Sequence, residues 1–220
     1  MRILREPCSF LKSRAGRPRD PAKRRAILDA AIKLFTLHSY GAVTMEAVAA
    51  RAGVSKMTIY RHFADKESLF EAIVTSVSDR MITVFSGSGM DDRPLYDRLM
   101  STGIAFLSII LEPDVMGLAA MLPTALRGNQ ELTLRFHNAG PGRVKPVLAA
   151  MIATAAESGQ IVIDNPEWAA SDLISLWESG LKPAIDFGTL PPIEHEEIVR
   201  RVHRGTSLFL RAYAPVSASG

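Results

Sequence analysis

The chain has 220 residues, with 26 Lys or Arg against 23 Asp or Glu for a net charge of +3, and 47% of its residues are hydrophobic. That composition predicts a folded globular protein of one or two domains and excludes collagenous or wholly disordered classes. The most apolar run, Gly103 to Leu111, is interrupted by Glu112, Pro113 and Asp114, short of the ~18 residues a spanning helix needs, so no membrane partner is expected.

The charge is unevenly spread. Residues 1–66 hold 14 Lys or Arg and 5 Asp or Glu, which leaves 12 and 18 for residues 67–220. A basic first third ahead of an acidic remainder predicts either contact with a polyanion through the first part or a solvated basic arm. The opening residues Arg2, Arg5, Lys12, Arg14, Arg17 and Arg19 surround no apolar core of a secretion signal, and the single Cys8 can close no intrachain disulfide. Both features predict a cytoplasmic, reducing setting.

Residues 1–19 read as a basic, disordered arm. Asp20-Pro21 then opens the first helix, since Asp accepts the free N–H groups of a first turn and Pro suits the first helical position. Ile27, Leu28, Ala31, Leu34 and Phe35 share one helix face, and Tyr40-Gly41 should end it. Thr44 caps a short second helix marked by Met45, Val48, Ala49 and Ala52. Gly53 breaks that helix and Ser55 caps a third, with Ile59 and Phe63 on its buried side. Asp65 caps a fourth of about five turns, along Leu69, Phe70, Ile73, Val77, Met81 and Phe85, before the break at Ser86-Gly87-Ser88-Gly89.

Residues 94–126 and 132–158 read as further helices, broken or kinked at Pro113, Pro123 and Gly140-Pro141-Gly142. The β-branched run Ile161-Val162-Ile163 leads into Asn165-Pro166 and a helix to about Leu181. A last helix runs from about Glu194 to Tyr213. The sum is an all-α protein of about nine helices: a helix-turn-helix domain over 20–66 and a larger helical domain over 67–220.

The pair of short helices at 44–63 has the form that lays the start of its second helix in a DNA major groove. The small Ala residues and Gly53 permit close approach and a sharp turn. Ser55, Lys56, Met57 and Thr58, then Tyr60, Arg61 and His62, are left to face DNA. Ile27-Leu28-Asp29-Ala30-Ala31, Val43-Thr44-Met45, Ala52-Gly53-Val54-Ser55-Lys56, Tyr60-Arg61-His62-Phe63 and Lys66-Glu67-Ser68-Leu69-Phe70 together resemble the TetR family of transcriptional regulators. Residues Phe136 to Pro141 and Gly159-Gln160-Ile161 resemble its AefR-type members.

The resemblance implies a homodimer on a double-stranded DNA operator, with a second domain that dimerises and binds a small effector. It implies phosphate contacts from Thr44, Tyr60, His62 and Lys66. Lys56, Met57 and Thr58 are then the candidates for base edges, and Met57 could either touch a thymine methyl or lie against the sugar and its own helix. Gly16-Arg17-Pro18-Arg19 is similar to an AT-hook core, so Arg17 and Arg19 are candidates for the minor groove, with a basic tail of nonspecific attraction as the alternative.

Five of the nine Met residues fall between 81 and 121, and Met adapts to irregular apolar volumes. Family geometry then suggests a pocket for a lipophilic or aromatic effector around Phe85, Phe106, Ile110, Met121, Phe136, His137 and Trp177, with Tyr96, His137 and the Trp177 N–H as polar groups. Leu173, Leu176, Ile198, Val202 and Phe209 on the last two long helices would form the dimer interface, or pack within one subunit. A repressor released by its effector is the expected outcome.

Enzyme chemistry finds little support. Glu194-His195-Glu196-Glu197 lacks the second His of a zinc-protease helix, no Gly-x-Ser-x-Gly or phosphate loop is present, and no metal or cofactor is expected. A DNA-binding architectural protein without an effector is the other alternative, and the large apolar second domain argues against it.

Overall fold

In the computed structural model, residues 20–89 and 92–215 are described, and they form eleven α-helices, one 3-10 turn and no strand. The elements are α1 (Pro21–Leu37), a 3-10 turn (Tyr40–Ala42), α2 (Met45–Arg51), α3 (Lys56–His62), α4 (Lys66–Gly89) and α5 (Leu95–Ile110). They continue with α6 (Pro113–Leu126), α7 (Gln130–Ala139), α8 (Pro141–Glu157), α9 (Pro166–Glu178), α10 (Leu181–Asp186) and α11 (His195–Ala212).

Local capping explains most of the starts. The Asp20 carboxylate accepts the Ala22 N–H at 3.1 Å, Thr44 Oγ1 that of Ala47 at 3.1 Å, and Ser55 Oγ that of Thr58 at 3.2 Å. Asp65 and Ser68 cap reciprocally: the carboxylate takes the Ser68 N–H at 2.7 Å while the Asp65 N–H donates to Ser68 Oγ at 3.2 Å. Ser68's bond holds the Asp65 carboxyl below its ordinary range.

Two expectations about element ends are corrected. α1 stops at Leu37, because His38 already takes extended dihedrals (φ −134°), and Gly41 enters the 3-10 turn without a left-handed conformation. α4 runs 24 residues, through the Ser/Gly run expected as a break, since its Met81 and Phe85 are buried in a shared core and packing overrides poor propensity. Pro123 lies inside α6 without ending it, whereas Gly140-Pro141 does separate α7 from α8. Together with the short α10, that raises the helix count above the expected nine.

Two cores result. The first joins Ile27, Phe35, Val48 and Ile59 to Leu69, Phe70 and Ile73 of α4, Leu118 of α6 and Leu132 of α7. The helix-turn-helix segment therefore completes its core with residues beyond 66. Its fit to α6 is close: a Cβ on Gly117 would stand 2.6 Å from Thr36 Cγ2. The second core joins the later turns of α4 to α5, α8, α9 and α11. Within it Gly103 lets α5 approach so closely that a Cβ there would lie 2.6 Å from both Trp177 and Val202.

The second core also corrects the expected dimer residues. Leu173, Val202 and Phe209 have no exposure and Ile198 only 6%, because α9 and α11 pack on each other and on α5. These four belong to the interior of a single chain, while Leu176 keeps part of its surface. Among the described residues no single helix is long and apolar enough to cross a membrane.

Candidate nucleic-acid interface

Gly53 takes φ +65°, and this left-handed residue turns α2 into α3 with no side chain in the way. α3 is then fixed by its inward face: Ile59 is fully buried and Phe63, its C-cap, is 4% exposed. Burying Ile59 contributes roughly 1.5–3 kcal/mol, enough to hold a helix of two turns that would not survive alone.

The outward face carries Ser55, Lys56, Met57, Tyr60 and Arg61, all exposed, with Thr58 half-buried. Met57 is 80% exposed, so its thioether is free of its own core. Thr44 and Ser55 use hydroxyl lone pairs to cap their helices. The Thr44 hydroxyl proton stays available to a phosphate oxygen, while the Ser55 and Thr58 hydroxyls also share a 2.8 Å bond.

Other expected contacts are differently placed. Lys56 Nζ pairs with Glu46 Oε1 at 2.7 Å and lies 5.8 Å from the Tyr60 ring, so the cation is held at the α2–α3 seam. Their bond lowers the Glu46 carboxyl and raises the Lys56 ammonium relative to their ordinary values. Lys66 Nζ donates to the Tyr40 carbonyl at 2.9 Å and sits 4.4 Å from the Tyr40 ring centroid, which ties the start of α4 to the 3-10 turn. Two of its three ammonium donors remain for a phosphate. His62 is a correction: at 9% exposure it lies against Phe63, turned from the surface where a phosphate would meet it. Arg17 and Arg19 lie outside the described residues.

Several features escaped sequence reasoning. Tyr40 donates its hydroxyl to Glu67 Oε1 at 3.2 Å, and burial together with the Glu67 charge drives that phenol above its ordinary range. Arg24 lies 5.3 Å over the Phe63 ring. No local spacing signals these pairings, which join residues 26 or more positions apart along the chain in the case of Tyr40 with Lys66 and Glu67.

The residues expected around an effector fall in two places. Phe85, Phe106 and Trp177 form a row with successive ring centroids 6.1 Å apart, and Ile110 packs against the same core. Met121 and Phe136 pack against the first core, and His137 is exposed with Nδ1 3.4 Å from Asn138 Oδ1. The Trp177 N–H is already given to Thr206 Oγ1 at 3.0 Å, and Tyr96 meets the His203 ring edge-on. Met121 instead borders a cleft of about 660 Å³ between the end of α1 and α6, lined also by Phe35, His38, Tyr40 and Gly117.

Residues 27–73 match the family model of bacterial regulatory proteins, tetR family, and residues 97–215 match that of the AefR-like transcriptional repressor, C-terminal domain. The uncharacterized HTH-type transcriptional regulator YdeS of Bacillus subtilis is 36% identical over 83 residues, 37% of this chain and 42% of that relative. The aligned part is thus less than half the length of that curated relative. Among solved structures, a putative TetR-family regulator from Mesorhizobium loti superposes with a TM-score of 0.78 at 23% identity, over 91% of this chain and all of the other. The Flavonoid-responsive Regulator FrrA does so with a TM-score of 0.68 at 24% identity, over 90% of this chain and all of the other.

Proposed function

This chain belongs to the TetR family of transcriptional regulators, not to an enzyme family, and on that premise we propose that it is a repressor that binds a palindromic operator as a homodimer and is released by a small lipophilic effector. The observation that carries the reading is the two-sided α3: Ile59 and Phe63 are locked inward, and Lys56, Met57, Thr58 and Tyr60 are left on the outward side. Lys56, Met57 and Thr58 read base edges, with Met57 against a thymine methyl; Thr44, Ser55, Tyr60 and Lys66 hold phosphates.

The dimer forms through the outward seam of α9 and α11. Trp168, 70% exposed, and the half-buried Leu176 and Leu208 give that seam apolar surface, and self-complementary helix pairs close a two-fold dimer. Two α3 helices then meet successive major grooves. α4 contributes to both cores, so an effector that favours one arrangement of the second core shifts the population of dimers whose reading helices fit the grooves.

Selection of genomic fragments by the purified protein at fixed salt tests this. The expected result is a palindrome whose half-sites lie about 10–10.5 base pairs apart, or a multiple of that. Recovery of sites with no two-fold character would overturn the proposal.

A further inference from the structure

The second core contains a charged side chain with no counter-charge. Arg98 on α5 is 6% exposed, and among the described residues its side chain has neither a hydrogen bond nor an ion pair; its Nε is enclosed. The contrast within the molecule is plain. Arg80, Arg135, Arg143, Arg200 and Arg201 each reach a carboxylate, and all of them sit nearer to water than Arg98. With its Nε enclosed and no protein carboxylate on its Nη groups among the described residues, this guanidinium keeps its donors for an anion that arrives from elsewhere.

Thr102, on the next turn of the same face, repeats the pattern. Five helical hydroxyls return to the carbonyl four residues back: Ser78 to Val74, Thr83 to Asp79, Thr154 to Ala150, Ser171 to Glu167 and Ser175 to Ser171, at 2.8 to 3.1 Å. Thr102 is fully buried and its Oγ1 makes no bond among the described residues; the Arg98 carbonyl instead takes the Ser101 hydroxyl at 3.0 Å. One turn further on stands Phe106, the middle member of the aromatic row with Phe85 and Trp177.

We infer that Arg98 and Thr102 are the anion-binding end of the effector site, and that the effector is a lipophilic organic acid. Its acid group meets the Arg98 guanidinium and the Thr102 hydroxyl, and its apolar body lies along α5 toward Phe106. Three positions four residues apart span about 12 Å at the helical rise, which sets the length of the molecule. Met81 and Met100, beside this core, supply side chains that reshape around it. The inference rests on the effector reading above and supplies its ligand chemistry.

The test uses a matched pair of fluorescent probes and the full chain, without DNA. 1-Anilinonaphthalene-8-sulfonate carries a sulfonate, and N-phenyl-1-naphthylamine has the same rings without it. The wild type should bind the sulfonate about tenfold more tightly than the neutral probe, the size of one charge-assisted contact. Arg98→Met should abolish that preference while leaving the neutral probe's affinity unchanged, which also shows that the variant is folded. Thr102→Val should weaken sulfonate binding by about threefold, the share of a lesser neutral donor. Equal affinity of the wild type for both probes would overturn the inference. So would an Arg98→Met protein that keeps the tenfold preference. Operator binding is measured separately, so failure of the DNA reading and failure of the acid site are distinct results.

Discussion

The reading head and the second core finish their polar groups to different degrees. Around α1 to α3 many polar groups close on one another: Thr44, Ser55 and Asp65 cap helices, Tyr40 bonds Glu67, Lys66 bonds Tyr40 and Lys56 pairs with Glu46. In the second core Trp177 is closed on Thr206, while Arg98 and Thr102 stay open among the described residues. A head that must match a groove gains by holding its shape before DNA arrives. A sensor must leave an interaction unmade, because a ligand shifts an equilibrium only by what it adds to one state.

The largest effect that sharpens this contrast is steric. Gly103→Ala places a methyl 2.6 Å from Trp177 and Val202 and should cost about 1–3 kcal/mol by urea unfolding. Gly41→Ala, with nothing within 4 Å of the new carbon, should stay within about 0.5 kcal/mol. Equal losses would mean that α5 does not pack as closely on Trp177 and Val202 as this geometry requires.

Capping of α4 comes next. Asp65→Ala should lower stability by about 1 kcal/mol at neutral pH. The Asp65 carboxyl is lowered in the folded chain, so its contribution is complete above the ordinary value of about 3.9 and is lost as pH falls through the folded value. The gap between wild type and variant should therefore close in urea titrations at strongly acidic pH. A gap that widened there would reverse the assigned sign.

Charge on the head gives the smaller effects. Lys66→Met should weaken binding to any DNA sequence and reduce the slope of log affinity against log salt by about 0.9, one phosphate contact's worth. Glu46→Gln should release Lys56 and tighten operator binding by about two- to threefold, the modest scale of an exposed pair. Weaker binding by that variant would mean that Glu46 aims Lys56 at the groove and does not restrain it.

How much of this was legible in the sequence follows from the range of each force. Caps need an acceptor within about three residues, so Asp20, Thr44, Ser55, Asp65 and Asn165 announced their helices in advance. The buried side of α3 was equally plain from Ile59 and Phe63. Partnerships across the fold were not: nothing near Lys56 in sequence points to Glu46, and the apolar stripes of α9 and α11 fit an internal seam as well as a dimer. Leu173, Val202 and Phe209 proved to be internal. The residues expected around an effector were split because periodicity says which face is apolar but not which core it joins, so Met121 and Phe136 went to one and Phe106 and Trp177 to the other. Arg98 and Thr102 did leave a mark, as polar residues on the apolar face of Leu95, Leu99 and Phe106.

The most direct test of the account is the ratio of affinities for the selected operator and a scrambled duplex at one fixed salt concentration, for the wild type and for Lys56→Ala, Met57→Ala and Tyr60→Ala combined. The account predicts a ratio of at least about 10³ for the wild type and its collapse in the combined variant, with residual binding that decays with salt. Equal affinity of the wild type for the two duplexes would contradict the claim that α3 reads sequence.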